Sequence, residues 1–278
     1  MNKFIHSCCF FVFLTLLQGV TYAADHTAGQ ATAEPAALQA IASAHPLATQ
    51  DGLDILKQGG NAFDAAIAVT ATLAVVEPYS SGIGGGGFYL LHQAETNEFV
   101  MLDAREKAPL RAHKDLYLDE TGKVKPNISI NGALSAGIPG IPAALVHLAE
   151  KYGNLKLSTS LAAAISHARE GFPVDEHYQR MASFRLEALR QNKAASDIFL
   201  QQGDVPELGY NIVQKDLAVT LERIAESGYA GFYENELAHK LVKDVRENGG
   251  IWTMKDLSGY EIKQRSPDVT VYKGMKLV

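Results

Sequence analysis

The sequence predicts an α+β fold in which helices are more numerous than strands. Helical patterns recur between residues 47 and 247, and glycine or proline marks the breaks between them. Two short apolar runs, 88–92 and 99–103, flank a polar turn and predict a β-hairpin. The chain has 278 residues and a hydrophobic content of 47%, which is sufficient for a sizeable core.

The predicted helices have recognisable start and stop signals. Pro46 is expected to end an alanine-rich first helix, since proline lacks the amide that a helix interior needs. Asn61 is a suitable cap for the helix at 62–76, which is apolar nearly all round and is therefore expected to be buried. The ranges predicted to be helical are 34–44, 47–58, 62–76, 143–151, 158–169, 175–192, 215–227 and 235–247.

A second hairpin is predicted at the end of the sequence. Residues 269–272 alternate like a strand, Lys273 and Gly274 form a turn, and a partner strand starts at Met275. A strand that stops within its pairing leaves backbone groups unpaired. We therefore expect residues 24–278 to be the front part of one larger domain that continues beyond this sequence.

Residues 1–23 have the pattern of a secretory signal peptide. Lys3 supplies the positive start, residues 10–17 are apolar except for Thr15, and residues 21–23 offer small side chains for cleavage. The apolar run is too short to span a bilayer. We expect this segment to be removed and the protein to be periplasmic or secreted in a bacterium.

Composition excludes several classes of function for the mature chain. Both cysteines, Cys8 and Cys9, lie in the predicted signal, so no disulfide, zinc–thiolate site or cysteine nucleophile is expected after cleavage. Cleavage leaves 24 Lys and Arg against 31 Asp and Glu, and this net charge of −7 argues against nucleic acid or an anionic membrane as a partner. The nine histidines are scattered and form no H-E-x-x-H motif, so no metal and no cofactor are expected.

A run of glycines from Gly82 to Gly87, interrupted only by Ile83, is the least ordinary segment of the chain. It formally matches G-x-G-x-x-G, but the dinucleotide fingerprint needs a strand before it and a helix after it. Here the order is reversed, which argues against nucleotide binding. Two interpretations remain open: a turn that lets two stretches of backbone pack closely, and a loop beside a substrate or an oxyanion.

Arg105 follows the predicted hairpin, on a loop that Pro109 stiffens. The planar guanidinium binds a carboxylate through two hydrogen bonds, so recognition of a substrate carboxylate is one interpretation. The other is an ordinary ion pair with Asp103 or Glu106.

Taken in order, these segments resemble the γ-glutamyltransferase (γ-glutamyltranspeptidase, glutathione hydrolase) family. Each piece alone is weak, but the ordered set is specific and extends over nearly all of residues 40–278. The matching pieces are 45–48, 59–62 with 64–66, 81–88, Asp103 with 105–106 and 108–109, 137–140, 171–174, 216–218 with 220–221, 231–233, and 249–250 with 252–253.

The resemblance implies an N-terminal-nucleophile hydrolase fold, an αββα sandwich of which this sequence contains mostly the helices and first strands. Such proteins are made as a precursor that cuts itself into a large and a small subunit. The cut exposes a threonine nucleophile whose own α-amine is the general base. The implied reaction passes a γ-glutamyl group from glutathione or a related compound to water, an amino acid or a dipeptide through an acyl-enzyme.

The resemblance also assigns roles to residues of this sequence. Arg105 matches the family's arginine that binds the α-carboxylate of the γ-glutamyl group. The glycine run falls beside the active site and is expected to support the pocket. No threonine of this sequence has the context of the nucleophile, so no catalytic residue is assigned here, and we expect this chain to be inactive without its small subunit. The expected pocket residues are Ser81, Gly82, Gly84, Gly85, Gly86 and Gly87.

Two other functions remain open at this stage. A cephalosporin (glutaryl) acylase has the same fold and the same type of nucleophile but a different acyl group, and comparing γ-glutamyl with glutaryl amides would distinguish it. A truncated, non-catalytic binding or scaffold protein would require the 24–278 segment to fold stably alone. The unfinished strand pair and the many apolar helices argue against that third possibility.

Overall fold

The computed structural model describes residues 39–278. The predicted signal peptide and most of the predicted helix at 34–44 lie outside the described residues. The described part mixes helices with short strands, as the α+β prediction requires. Its helices are α1 (Pro46–Lys57), α2 (Ala62–Val76), α3 (Ile141–Lys151), α4 (Leu157–Glu170), α5 (Glu176–Gln191), α6 (Lys193–Phe199), α7 (Lys215–Tyr233), α8 (Glu236–Glu247) and α9 (Met254–Ser258). Its strands are β1 (Gly87–Gln93), β2 (Glu98–Ala104), β3 (Phe172–Pro173), β4 (Asn211–Ile212), β5 (Lys263–Arg265), β6 (Thr270–Tyr272) and β7 (Met275–Leu277).

Helix α2 begins where its cap was predicted. The Asn61 side chain accepts hydrogen bonds from the amides of Phe63 and Asp64, and the Asp64 carboxylate accepts one from the Asn61 amide at 2.9 Å. Asp64 is fully buried and also accepts from the amides of Asn154 and Leu155. This carboxylate therefore ties the start of α2 to the loop between α3 and α4.

The three-stranded sheet β1-β2-β5 is antiparallel throughout. The predicted hairpin is confirmed, with Gly87 opposite Ala104. Strand β5 was not predicted, because its three residues are charged or polar and exposed. It is joined to β2 by an ion pair in which Arg265 donates to Asp103 at 2.7 and 2.9 Å. The predicted terminal hairpin is also confirmed, with Thr270 opposite Leu277.

Other details also differ from the sequence predictions, and α9, β3 and β4 are further elements that were not predicted. Residues 39–45 are not helical, and Pro46 begins α1 instead of ending a helix, since the first turn needs no amide from that residue. The helix predicted over 215–227 does stop at Gly228, which takes a non-helical φ of 56°, but a second helical segment, not predicted, follows this kink within α7 and ends at Tyr233. Helix α6 was missed because Asn192, which ends α5, also caps the next helix by accepting from the Ala195 amide.

Most of the buried apolar residues lie on α2, α3, α4 and α7, and the three-stranded sheet adds Leu91, Leu102 and Ala104. Helix α2 is buried along most of its length, in keeping with its apolar sequence. Between residues 39 and 278, no helix is both long and apolar enough to cross a membrane. The same range contains no group of three or more His, Cys, Asp or Glu side chains placed to hold a metal ion.

Candidate functional site

A cleft of about 590 Å³ lies where the glycine run meets the loop after β2. One wall is formed by the end of α2 and the turn at 78–81, and the other by Arg105 and Glu106. Every pocket residue predicted from the sequence lines this cleft, so the structure brings them together. Those residues are Ser81, Gly82, Gly84, Gly85, Gly86, Gly87 and Arg105.

Close backbone approach explains one glycine of the run, Gly86. Among its described glycines none has a positive φ. A Cβ at Gly86 would lie 2.5 Å from the Glu106 amide nitrogen and 2.7 Å from the Arg105 Cα, distances that real Cβ atoms do not reach. A Cβ at Gly84, by contrast, would meet no atom within 4 Å. The two backbones therefore pack in direct contact at Gly86.

The run is also held by the N-terminus of α3. The Gly85 carbonyl accepts hydrogen bonds from the amides of Gly140 and Ile141 at 2.8 and 3.1 Å. The first amides of a helix have no partner within that helix, so this carbonyl satisfies two groups that would otherwise be unpaired. The loop is therefore fixed from the α3 side as well as from the Arg105 side.

The Arg105 side chain is 54% exposed and lies at the mouth of the cleft. It donates to the Gly86 carbonyl at 3.4 Å and pairs with the Glu106 carboxylate at 3.2 Å. Its Cζ lies 6.0 Å from the centre of the Phe88 ring. Since a guanidinium has five N–H donors, these described contacts leave donors for a ligand carboxylate. The ion pair predicted as an alternative is formed with Glu106, while Asp103 pairs with Arg265.

The backbone of Arg105 is held by Asp103 and by Tyr260, a residue that the sequence did not single out. Its amide donates to Asp103 at 3.2 Å, and its carbonyl accepts from the Tyr260 hydroxyl at 2.9 Å. Lys107 and Ile138 exchange backbone hydrogen bonds of 2.8 and 3.2 Å. No local pattern could have revealed Tyr260, because it is separated from Arg105 by 155 residues.

Two side chains near Arg105 have displaced pKa values. Asp103 accepts hydrogen bonds from the Arg265 side chain and, more weakly, from the Arg105 amide. These bonds lower the pKa of Asp103, so this carboxylate is ionised at neutral pH. Burial, together with the charges of Asp103 and Glu106, raises the pKa of Tyr260 to about 12. Tyr260 is therefore protonated at neutral pH and serves as a hydrogen-bond donor.

The described walls of the cleft suit recognition better than covalent chemistry. Arg105 is the basic group among the described lining residues, and these residues include no histidine and no cysteine. The hydroxyls of Ser80 and Ser81 therefore have no neighbouring imidazole in the described lining to act as their base. What this arrangement can do chemically is bind a carboxylate and hold it in a fixed orientation.

The fold defines the class of protein as an N-terminal-nucleophile hydrolase. The structure is similar to that of Helicobacter pylori γ-glutamyltranspeptidase, with a TM-score of 0.85 and 40% sequence identity over 88% of this chain and 70% of that chain. It is also similar to a cephalosporin acylase from Bacillus halodurans, with a TM-score of 0.75 and 35% identity over 84% of this chain and 44% of that one.

The sequence comparison identifies the family within that class. The Gamma-glutamyltranspeptidase family profile matches residues 48–278, and the chain belongs to this family. It is 38% identical over 238 residues to the glutathione hydrolase proenzyme of Bacillus subtilis (strain 168). The aligned residues make up 85% of this chain and 40% of that relative. The chain therefore spans about two fifths of the length of that relative.

Proposed function

We propose that this chain is the large-subunit part of a γ-glutamyltransferase that cleaves the γ-glutamyl amide of glutathione and of related compounds. Family membership supports the reaction class. The observation that carries the substrate assignment is Arg105, a half-exposed arginine at the mouth of the glycine-lined cleft. Its two-point grip would hold the α-carboxylate of the γ-glutamyl group.

In this proposal the chain positions the donor and a second segment of the same precursor reacts with it. The threonine at the new N-terminus of the small subunit attacks the γ-carbonyl, and its α-amine takes the hydroxyl proton. The amide C–N bond breaks, the proton passes to the leaving amine, and an acyl-enzyme forms. Water, an amino acid or a dipeptide then attacks the acyl group and regenerates the threonine.

The glycine run has a supporting role in this scheme. Because Gly86 packs against the backbone of Arg105 and Glu106, it fixes how far the Arg105 backbone lies from the glycine wall of the cleft. Ser81, Gly82, Gly84, Gly85 and Gly87 complete the wall on the donor side. The small subunit is the proposed partner, and residues 24–278 alone are expected to give no turnover.

The proposal extends to location and cofactors. The signal-like segment at 1–23 favours a periplasmic or secreted enzyme. The reaction needs no metal or organic cofactor, since the nucleophile and the base belong to one residue. Activity of the full-length gene product is therefore expected to survive prolonged treatment with a chelator.

A glutaryl acylase is the second candidate, favoured by the similarity to the Bacillus halodurans cephalosporin acylase. A glutaryl group keeps the carboxylate that Arg105 would bind and lacks only the α-amino group. The two functions therefore differ in what recognises that amino group.

A donor comparison tests the proposal. The full-length gene product is given γ-glutamyl and glutaryl anilides with the same chromogenic leaving group, and kcat/KM is measured for each. The proposal expects the γ-glutamyl donor to be preferred by at least about tenfold, equivalent to about 1.4 kcal/mol. A preference for the glutaryl donor would assign the protein to the acylases, and no turnover of either would support a non-catalytic protein.

A further inference from the structure

We propose that Tyr260 is a positioning residue for Arg105, which it holds in register with the donor carboxylate through the backbone. This inference rests on the proposed function, because it assumes that Arg105 binds a carboxylate. The Tyr260 hydroxyl donates to the Arg105 carbonyl at 2.9 Å. The contact fixes the peptide unit from which the guanidinium side chain extends.

The Tyr260 ring is held firmly enough to act as a fixed anchor. It is 2% exposed and stacks on the Tyr233 ring with a centroid distance of 5.6 Å and an angle of 8°. Tyr233 in turn donates to the Pro139 carbonyl at 2.8 Å, and the Tyr229 hydroxyl donates to the Tyr260 carbonyl at 2.6 Å. The ring cannot swing away without breaking these contacts.

The space around the Tyr260 hydroxyl is also filled. A Cβ at Gly140 would lie 2.3 Å from the Tyr260 hydroxyl and 2.0 Å from the Ala104 carbonyl. On the outer side, the Lys107 ammonium lies 4.8 Å from the centre of the Tyr260 ring, within the range of a cation–π contact. The hydroxyl therefore has one close backbone acceptor and little freedom to choose another.

Arg105 depends on its backbone for orientation because its side chain is weakly held. The side chain is half exposed, its hydrogen bond to the Gly86 carbonyl is long at 3.4 Å, and its ion-pair partner, the Glu106 side chain, is itself 31% exposed. Its backbone, in contrast, is fixed at the amide by Asp103, at the Cα by Gly86 and at the carbonyl by Tyr260. Loss of the Tyr260 hydrogen bond to the Arg105 carbonyl would free the peptide unit between Arg105 and Glu106.

The first test is Tyr260→Phe in the full-length gene product, assayed with a γ-glutamyl anilide. We expect KM to rise by about three- to tenfold, the effect of losing one hydrogen bond, while kcat changes by less than about twofold because only binding is altered. Tyr178→Phe is the matched control: it removes a similarly buried hydroxyl that donates to the Phe199 carbonyl at 2.9 Å, at the end of α6 and not on the loop that carries Arg105. The Tyr178 ring itself, which packs 5.9 Å from the ring of Tyr79 in the cleft wall, is kept by this substitution. Tyr178→Phe is expected to leave KM unchanged.

A double-mutant cycle separates positioning from general support of the fold. If Tyr260 acts through Arg105, Tyr260→Phe has no further effect on kcat/KM in an Arg105→Ala background. Additive losses, or a fall in kcat with unchanged KM, would overturn the inference while leaving the proposed function intact. If Arg105→Ala itself leaves kcat/KM unchanged, the carboxylate role fails and this inference fails with it.

If Tyr260→Phe does not fold, a second variant tests the same positioning role of Tyr260. Lys107→Met removes the ammonium above the Tyr260 ring but leaves the buried tyrosines in place. Lys107→Met weakens the contact between the loop after β2 and the Tyr260 ring. We therefore expect KM to rise less than in Tyr260→Phe, and this rise to disappear in the Arg105→Ala background. A rise in KM that persists in that background would contradict the inference.

Discussion

The Cα of Gly86 lies against the Cα of Arg105, so closely that a Cβ on the glycine would be 2.7 Å from it. The same Cβ would be 2.6 Å from the Ala104 carbonyl. Since a strand end, a glycine loop and the arginine meet at this point, the position of the guanidinium depends on the absence of a side chain at residue 86.

Gly86→Ala is therefore expected to destabilise the protein by about 1–3 kcal/mol, the usual cost of forcing extra atoms into a packed region. The atoms that a methyl group would meet belong to backbone, so they cannot move aside cheaply. Gly84→Ala is the matched control, because its Cβ would meet nothing within 4 Å. Thermal and denaturant unfolding measure both, and equal losses in the two variants would contradict this account of the glycine run.

The Asp103–Arg265 ion pair is expected to contribute stability that is lost in acid. The pKa of Asp103 is lowered in the folded protein. Between this lowered pKa and the ordinary Asp pKa, the folded state therefore binds fewer protons than the unfolded state. The contribution is complete above the ordinary Asp pKa of about 3.9 and disappears as pH falls through the lower folded value.

Arg265→Ala isolates this contribution. We expect the variant to melt at a lower temperature than the original protein at pH 6, and the two melting temperatures to converge as pH is lowered below about 4. Melting curves at a series of pH values measure the difference. A gap that stays constant down to acidic pH would show that Arg265 stabilises by packing instead.

Asp256 is expected to be a strong anchor of the loop that follows Arg105. Its carboxylate is 6% exposed and accepts hydrogen bonds from the amides of Leu110 and Thr253, both at 2.6 Å. Asp256→Ala leaves these donors without their partner, at an expected cost of about 2–4 kcal/mol in the free energy of unfolding. Asp54, an exposed carboxylate that accepts from Gln50 and Lys57, is the control, and its removal is expected to have no measurable effect.

Much of the fold follows from local sequence signals. Asn61 and Asp64 form the cap that starts α2, and the apolar runs on either side of the 93–98 turn give the β1-β2 hairpin. Arg105 and the glycines drew attention because both are residue types with unusual physical capabilities, but their roles in a pocket were predicted only from the family resemblance. The local signals act over a few residues, which is why sequence alone can reveal them.

The missed features depend on contacts between distant residues. Strand β5 has no apolar pattern of its own and is defined by its backbone pairing with β2, where Arg265 also donates to Asp103 from 162 residues away. In the sequence, nothing distinguishes Tyr260 from other buried aromatic residues, because its hydrogen bond to the Arg105 carbonyl depends on the folded structure. Pro46 was misassigned because proline can both end a helix and begin one. It begins α1 here, where the His45 ring caps the helix by accepting a hydrogen bond from the Leu47 amide at 3.1 Å.

Arg105 is proposed to bind the donor carboxylate, and the KM of the Arg105→Lys variant for a γ-glutamyl anilide tests this role. An ammonium keeps the charge but cannot reproduce the two-point grip, so KM is expected to rise by about ten- to a hundredfold with kcat changed much less. Arg190→Lys, on a helix-surface ion pair with Glu187 at 2.9 Å, is the control and should leave KM unchanged. An Arg105→Lys enzyme with the original KM would contradict the account.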